Sequence, residues 1–120
     1  MGVAASSILN LEELLNRVDE DRELLMELFF IFRSGCPTNL QRLREAVQFE
    51  DGKKVELEAH LLKGMLLNLS ASRAAAAAAE LEQQGRERQF SGMKVALAEL
   101  QSEVELLLSQ IDKRVGEFQP

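Results

Sequence analysis

The final third of the chain carries the pattern that most restricts its fold. An apolar residue recurs there at intervals of four, three, four, three and four positions: Met93, Leu97, Leu100, Val104, Leu107 and Ile111. In a helix of 3.6 residues per turn these side chains lie on one face, which must be buried. The alternation of apolar and polar residues that marks a strand is not sustained in the sequence. We therefore expect an all-α protein in which this long helix packs against others.

The composition agrees with a helical bundle. Leu, Ala and Glu dominate the 120 residues, Trp and Tyr are absent, and there are only two prolines. This length is sufficient for one hydrophobic core, and too short for a second domain with a nucleotide site. We expect a single domain over residues 1–120.

Capping and turn signals divide the chain into six expected helices. Asn10 is suited to cap a first helix over residues 11–18. A second helix begins at the acidic residues 19–21 and ends near Gly35, and Pro37 then opens a third that stops near residue 52. The other three are expected at about 53–69, from about 71, and from about 91 after a charged turn at 85–90.

The expected architecture is an antiparallel four-helix bundle with two additional N-terminal helices that cap it. The bundle helices would start near residues 37, 53, 71 and 91. The alanine run at 74–79 would allow a neighbouring helix to approach closely. The repeat over 93–111 also suits a coiled-coil dimer, but the amphipathic helices upstream can cover it within one chain, so we expect a monomer.

Charge and cysteine content argue against several classes of protein. The net charge of -6 and the isoelectric point of about 4.9 disfavour nucleic-acid binding. No apolar stretch is long enough for a bilayer span, and no secretory signal is apparent. Cys36 is the only cysteine, so no internal disulfide can form, and we interpret it as a small apolar residue near a helix junction. These observations predict a cytoplasmic protein without membrane contact.

The only histidine, His60, is the strongest candidate for chemistry. The apolar stripe of its helix consists of Val55, Ala59, Leu62, Leu66 and Leu69. His60 projects roughly 140° away from the centre of that stripe, so its ring should face solvent. Lys63 at i+3 can reach the same neighbourhood, and Gly64 one turn on presents no side chain. The sequence therefore predicts an imidazole that is open to a partner.

Several readings of His60 are possible. A metal site is disfavoured because Glu56 at i-4 adds only one ligand, and stable sites need three or four. Acid–base catalysis is also disfavoured, since we expect a convex surface without an orienting carboxylate. There remains nucleophilic attack of a neutral imidazole nitrogen on a phosphoryl group, with a second protein completing the site. The exposed leucines Leu57, Leu61 and Leu67 would then form a docking surface.

Parts of the sequence resemble the histidine phosphotransfer (HPt) domains of bacterial-type phosphorelays, over roughly residues 9 to 116. The similar segments are Leu24 to Phe29, Leu40 to Ala46, Ala59-His60-Leu61-Leu62-Lys63-Gly64, Asn68-Leu69-Ser70-Ala71 and Leu81-Glu82. The resemblance implies a bundle whose exposed histidine takes a phosphoryl group from the aspartate of one receiver domain and passes it to another. His60 would be the phosphoacceptor, Lys63 the nearby positive charge and Gly64 the small residue that admits the partner.

The resemblance also implies what this chain does not supply. The receiver domain would provide Mg²⁺ and the acidic pocket, so no cofactor is expected here. The sequence contains no Gly-rich phosphate loop, and the chain would be a carrier without its own ATP site. The family often has small polar residues where Leu61 and Met65 stand, and glycine where Ser70 stands, which bears on the choice of receiver.

Two alternatives stay open, together with the setting of the domain. The chain could be a helical adaptor that binds through the three leucines without chemistry. It could also be an enzyme for a small molecule, which would need a concave polar pocket beside His60. The sequence does not distinguish a free-standing carrier from a domain of a hybrid sensor histidine kinase.

Overall fold

The computed structural model describes residues 7–118 of the chain, and this range contains five helices. They are α1 (Leu11–Arg17), α2 (Arg22–Gln48), α3 (Gly52–Asn68), α4 (Ser72–Glu87) and α5 (Phe90–Phe118). No strand occurs within that range. Helices α2 to α5 follow one another through turns of two or three residues and form an antiparallel bundle, in which α2 and α4 each pack against both α3 and α5. The all-α prediction is confirmed.

The predicted break near residues 34–38 is wrong, because α2 continues through it. The buried side chains of α2 keep helical spacing across the expected junction: Leu25, Phe29, Phe32, Cys36, Leu43 and Val47. Pro37 lies inside the helix on its exposed side. Its ring removes one backbone hydrogen bond, and the carbonyl that loses its donor belongs to Arg33, which is also exposed. The bundle helix therefore starts at Arg22 rather than near residue 37, and α1 is the one additional N-terminal helix in the described chain.

Cys36 consequently lies in the middle of a helix and not at a junction. Its side chain is fully buried, as expected of a small apolar residue. Burial raises the pKa of the Cys36 thiol to about 11. The thiol is therefore protonated and unreactive at neutral pH.

Side-chain caps account for the starts of three helices. The side chain of Asn10 accepts a hydrogen bond from the Glu13 amide at 3.1 Å, and Asp21 does the same for Leu24 at 3.0 Å. Asp51 caps α3 through the amide of Lys54 at 3.1 Å. The expected turn at 85–90 is shorter than predicted, because α4 continues to Glu87 and α5 begins at Phe90.

The core uses the two apolar stripes that the sequence indicated. All six residues of the α5 repeat and all five of the α3 stripe are buried. The repeat over 93–111 thus packs within the chain. None of the helices in residues 7–118 is both long enough and apolar enough to cross a membrane.

Close contact between α3 and α4 brings side chains of α4 within reach of the outer face of α3. Ala74, Ala75 and Ala78 bring little bulk to the buried face of α4. At the other end of the interface, a Cβ atom on Gly85 would lie 2.8 Å from the carbonyl oxygen of Gly52. The two backbones can approach this closely only because both positions are glycine.

Candidate functional site

His60 lies in the middle of α3 with its ring turned toward solvent. Its side chain is 61% exposed, and Nδ1 lies 3.0 Å from Oε2 of Glu82 on α4. An ionised carboxylate can only accept, so the ring proton is on Nδ1. In the neutral imidazole, Nε2 then carries the free lone pair.

Glu82 is the buried centre of the site. Its side chain is only 9% exposed, and it receives Lys63 Nζ at 2.7 Å on Oε1 and Arg86 Nη2 at 3.1 Å on Oε2. Burial acts to raise the pKa of Glu82, but the hydrogen bonds from Lys63 and His60 outweigh it and hold that pKa below the ordinary value. The carboxylate is therefore ionised at neutral pH and fixes the ring of His60.

Lys63 and Gly64 lie about one turn after His60 on α3 and differ in their contacts. Lys63 is 27% exposed and is bound to the buried carboxylate. Gly64 faces open space, because a Cβ atom added there would meet no other group within 4 Å. Its lack of a side chain is therefore not required by packing within the described chain.

The three predicted docking leucines are exposed on the same helix. The exposed fractions are 58% for Leu57, 55% for Leu61 and 48% for Leu67. Arg17 of α1 donates to the carbonyl of Leu67 at 3.1 Å and attaches α1 to this end of α3. The outer face of α3 thus combines apolar side chains with the imidazole.

A further ion pair, between Arg86 and Glu56, lies beside the ring. Arg86 Nε donates to Glu56 Oε2 at 2.8 Å, and this hydrogen bond raises the pKa of Arg86. The pair borders an open depression of about 410 Å³ lined by Lys53, Glu56, Leu57, His60, Glu82 and Arg86. Glu56 pairs with Arg86, and no cluster of three or more His, Cys, Asp or Glu side chains suited to a metal ion occurs in residues 7–118.

Two expectations about the surroundings of His60 are wrong. The sequence argument expected no orienting carboxylate and a convex surface, whereas Glu82 orients the ring and a depression lies beside it. Glu82 and Arg86 were not among the predicted site residues. One signal could have indicated Glu82: it is in phase with the buried Ala75 and Ala78, and a carboxylate on a buried stripe requires a cationic partner.

Comparisons with known proteins identify the family and the fold of the chain. The family model of the Hpt domain matches residues 27–113. The fold is similar to the crystal structure of histidine-containing phosphotransfer protein B (HptB) from Pseudomonas aeruginosa PAO1, with a TM-score of 0.87 and 18% identity, covering 95% of this chain and 99% of that chain. No curated protein matches the sequence significantly. The structural similarity shows a shared fold and the family model spans most of the chain, so this protein belongs to the Hpt domain family, the histidine phosphotransfer domains of two-component phosphorelays.

Proposed function

We propose that this chain is a phosphoryl carrier in which His60 receives a phosphoryl group from the aspartyl phosphate of one receiver domain and delivers it to the aspartate of another. The observation that carries the proposal is the 3.0 Å contact between His60 Nδ1 and Glu82 Oε2 on a ring that is 61% exposed. A proton on Nδ1 leaves the lone pair of Nε2 available for attack.

The transfer step requires no proton to leave the site. The Nε2 lone pair forms a bond to phosphorus while the bond between phosphorus and the aspartyl oxygen breaks, and the aspartate leaves with that electron pair. The ring becomes an imidazolium that keeps its proton on Nδ1. Glu82 stabilises this positive charge through a charge-assisted hydrogen bond. Delivery to the second receiver is the reverse of the same step.

Lys63 and Gly64 assist at the phosphoryl side. The ammonium of Lys63 lies near the ring through its contact with Glu82, and it can stabilise the negative charge of a phosphoryl group on His60. Gly64 leaves the space above its backbone free for a loop of the receiver.

The receiver completes the site and docks on the outer face of α3. Leu57, Leu61 and Leu67 supply the apolar contact surface. Mg²⁺ and the acidic pocket belong to the receiver, so this chain binds no cofactor. It acts as a monomeric carrier and has no ATP site of its own. Leu61 and the partly buried Met65 bear on which receivers fit.

Phosphotransfer from labelled receivers tests this function. Purified receiver domains that carry ³²P on their aspartate are mixed with the chain, and transferred label is scored for acid lability. We expect rapid labelling of the wild type and none of His60→Gln, with circular dichroism confirming that the variant is folded. Equal labelling of both proteins, or of neither, would refute the proposal. Retained receiver binding by His60→Gln, without label on the wild type, would favour the adaptor.

A further inference from the structure

Arg86 connects the phosphoacceptor site to a carboxylate that the transfer step does not use. Its Nη2 shares Glu82 Oε2 with His60 Nδ1, and its Nε is bonded to Glu56 at 2.8 Å. Arg86 and His60 therefore bind the same carboxylate oxygen. Glu56 precedes His60 by one turn on α3, so the same turn of helix carries the phosphoacceptor and the group that holds Arg86.

The guanidinium of Arg86 has donors to spare. It has five N–H groups, and contacts with the two carboxylates involve only Nε and Nη2. Nη1 has no protein partner in the part of the chain that the structure describes. Because the side chain is 57% exposed, its ion pairs are weak and can rearrange at low cost.

Phosphorylation would disturb the charge balance of this cluster. Among the ion-paired groups of the unphosphorylated site, the positive charges of Lys63 and Arg86 match the negative charges of Glu56 and Glu82. A phosphoryl group on Nε2 carries a charge of about -2, and the imidazolium that forms with it offsets only one of these charges. Arginine binds such a group well because its planar donors match phosphate oxygens. Glu56 and the phosphoryl group would then compete for the same guanidinium.

We infer that Glu56 restrains Arg86 and thereby sets the lifetime of the phosphohistidine, an inference that rests on the proposed function. When Glu56 binds Arg86, the guanidinium is not free to neutralise the negative charge of the phosphoryl group. When Glu56 is absent, Arg86 moves to the phosphoryl group and binds its oxygens. Phosphoryl transfer to water passes through a loose, metaphosphate-like transition state. The phosphoryl oxygens lose charge in that state, so a cation stabilises the phosphohistidine more than the transition state. Arg86 is thus a protective residue, and Glu56 is a positioning residue that acts through it.

Chemical phosphorylation tests this inference without a receiver, so that effects on docking cannot contribute. Phosphoramidate transfers its phosphoryl group to imidazole with ammonia as the leaving group, so no partner protein is needed. After removal of the reagent, ³¹P NMR follows the phosphohistidine signal in the wild type, Glu56→Gln, Arg86→Gln and the double variant. Glu58→Gln is the matched control, because Glu58 lies on the same helix but faces Arg42 at 3.9 Å. Thermal unfolding verifies that every variant is folded.

The expected effects have opposite signs. Glu56→Gln should lengthen the half-life of the phosphohistidine about two- to fivefold, the range of an exposed ion pair, and Arg86→Gln should shorten it. The double variant should match Arg86→Gln, and Glu58→Gln should match the wild type. An unchanged or shorter half-life in Glu56→Gln, or a lengthening that persists without Arg86, would overturn the inference. If neither phosphoramidate nor labelled receivers phosphorylate His60 in the wild type, the proposed function fails instead.

Discussion

His60 on α3 and Glu82 on α4 are joined by a hydrogen bond of 3.0 Å although they are 22 residues apart in the sequence. One partner is exposed and the other is buried, so the core of the bundle determines the orientation of a surface ring. The close approach of α3 and α4 at Gly52 and Gly85 supports this geometry. The imidazole is consequently preorganised before any receiver docks.

Removal of the charge on Glu82 should slow transfer. In Glu82→Gln the amide oxygen can still accept from Nδ1, but the imidazolium formed during transfer has no anionic partner. We expect the initial rate of phosphotransfer from a labelled receiver to fall about tenfold, equivalent to ~1.4 kcal/mol. Glu80→Gln is the control, since Glu80 is exposed on the same helix and, within residues 7–118, its side chain bonds only to Gln84. A rate in Glu82→Gln equal to that of the control would show that the charge is unimportant.

The same carboxylate should make the stability of the fold depend on pH. The pKa of Glu82 is below its ordinary 4.5 in the folded protein, so the unfolded chain binds the proton more readily and the free energy of unfolding rises with pH. The contribution is complete above the unfolded pKa and is lost as pH falls through the folded pKa.

Urea unfolding at several pH values tests this dependence. The free-energy difference between the wild type and Glu82→Gln should move toward destabilisation of the wild type as pH falls below about 5. Glu105→Gln, an exposed position on α5, controls for the loss of one negative charge. A difference that is constant from about pH 7 to pH 3 would contradict the role assigned to Glu82.

Periodicity predicted the core well because burial of one helix face depends mainly on spacing. The stripes through Leu62 and Leu100 required no knowledge of the neighbouring helices. Pro37 was misleading because a local rule ended the helix there, whereas burial on both sides of it favours continuation. Glu82 could not be paired with His60 from spacing alone, since their contact depends on how closely two helices approach.

Gly64 should show opposite effects on stability and on transfer. Gly64→Ala should stabilise the fold by about 0.5–1 kcal/mol, because alanine has the higher helix propensity and the new methyl group meets no other group within 4 Å. The methyl group would project onto the receiver-docking surface and slow transfer on the order of tenfold. Gly35→Ala, also in open space but on α2, should give the stabilisation alone. Equal transfer rates for the two variants would show that Gly64 is not needed for access of the receiver.

Substitution of two adjacent leucines should separate effects on docking from effects on folding. Leu62 is 1% exposed and Leu61 is 55% exposed, although they follow one another on α3. Leu62→Ala should lower the free energy of unfolding by about 2–5 kcal/mol because it leaves a cavity in the core. Leu61→Ala should change that free energy by no more than about 0.5 kcal/mol. Removal of its exposed side chain should instead raise the Kd for a receiver on the order of tenfold, as expected for an apolar anchor in an interface. Urea unfolding and titration calorimetry on both variants provide the comparison. If Leu61→Ala bound each tested receiver as tightly as the wild type, the apolar surface would have to be centred on Leu57 or Leu67 instead.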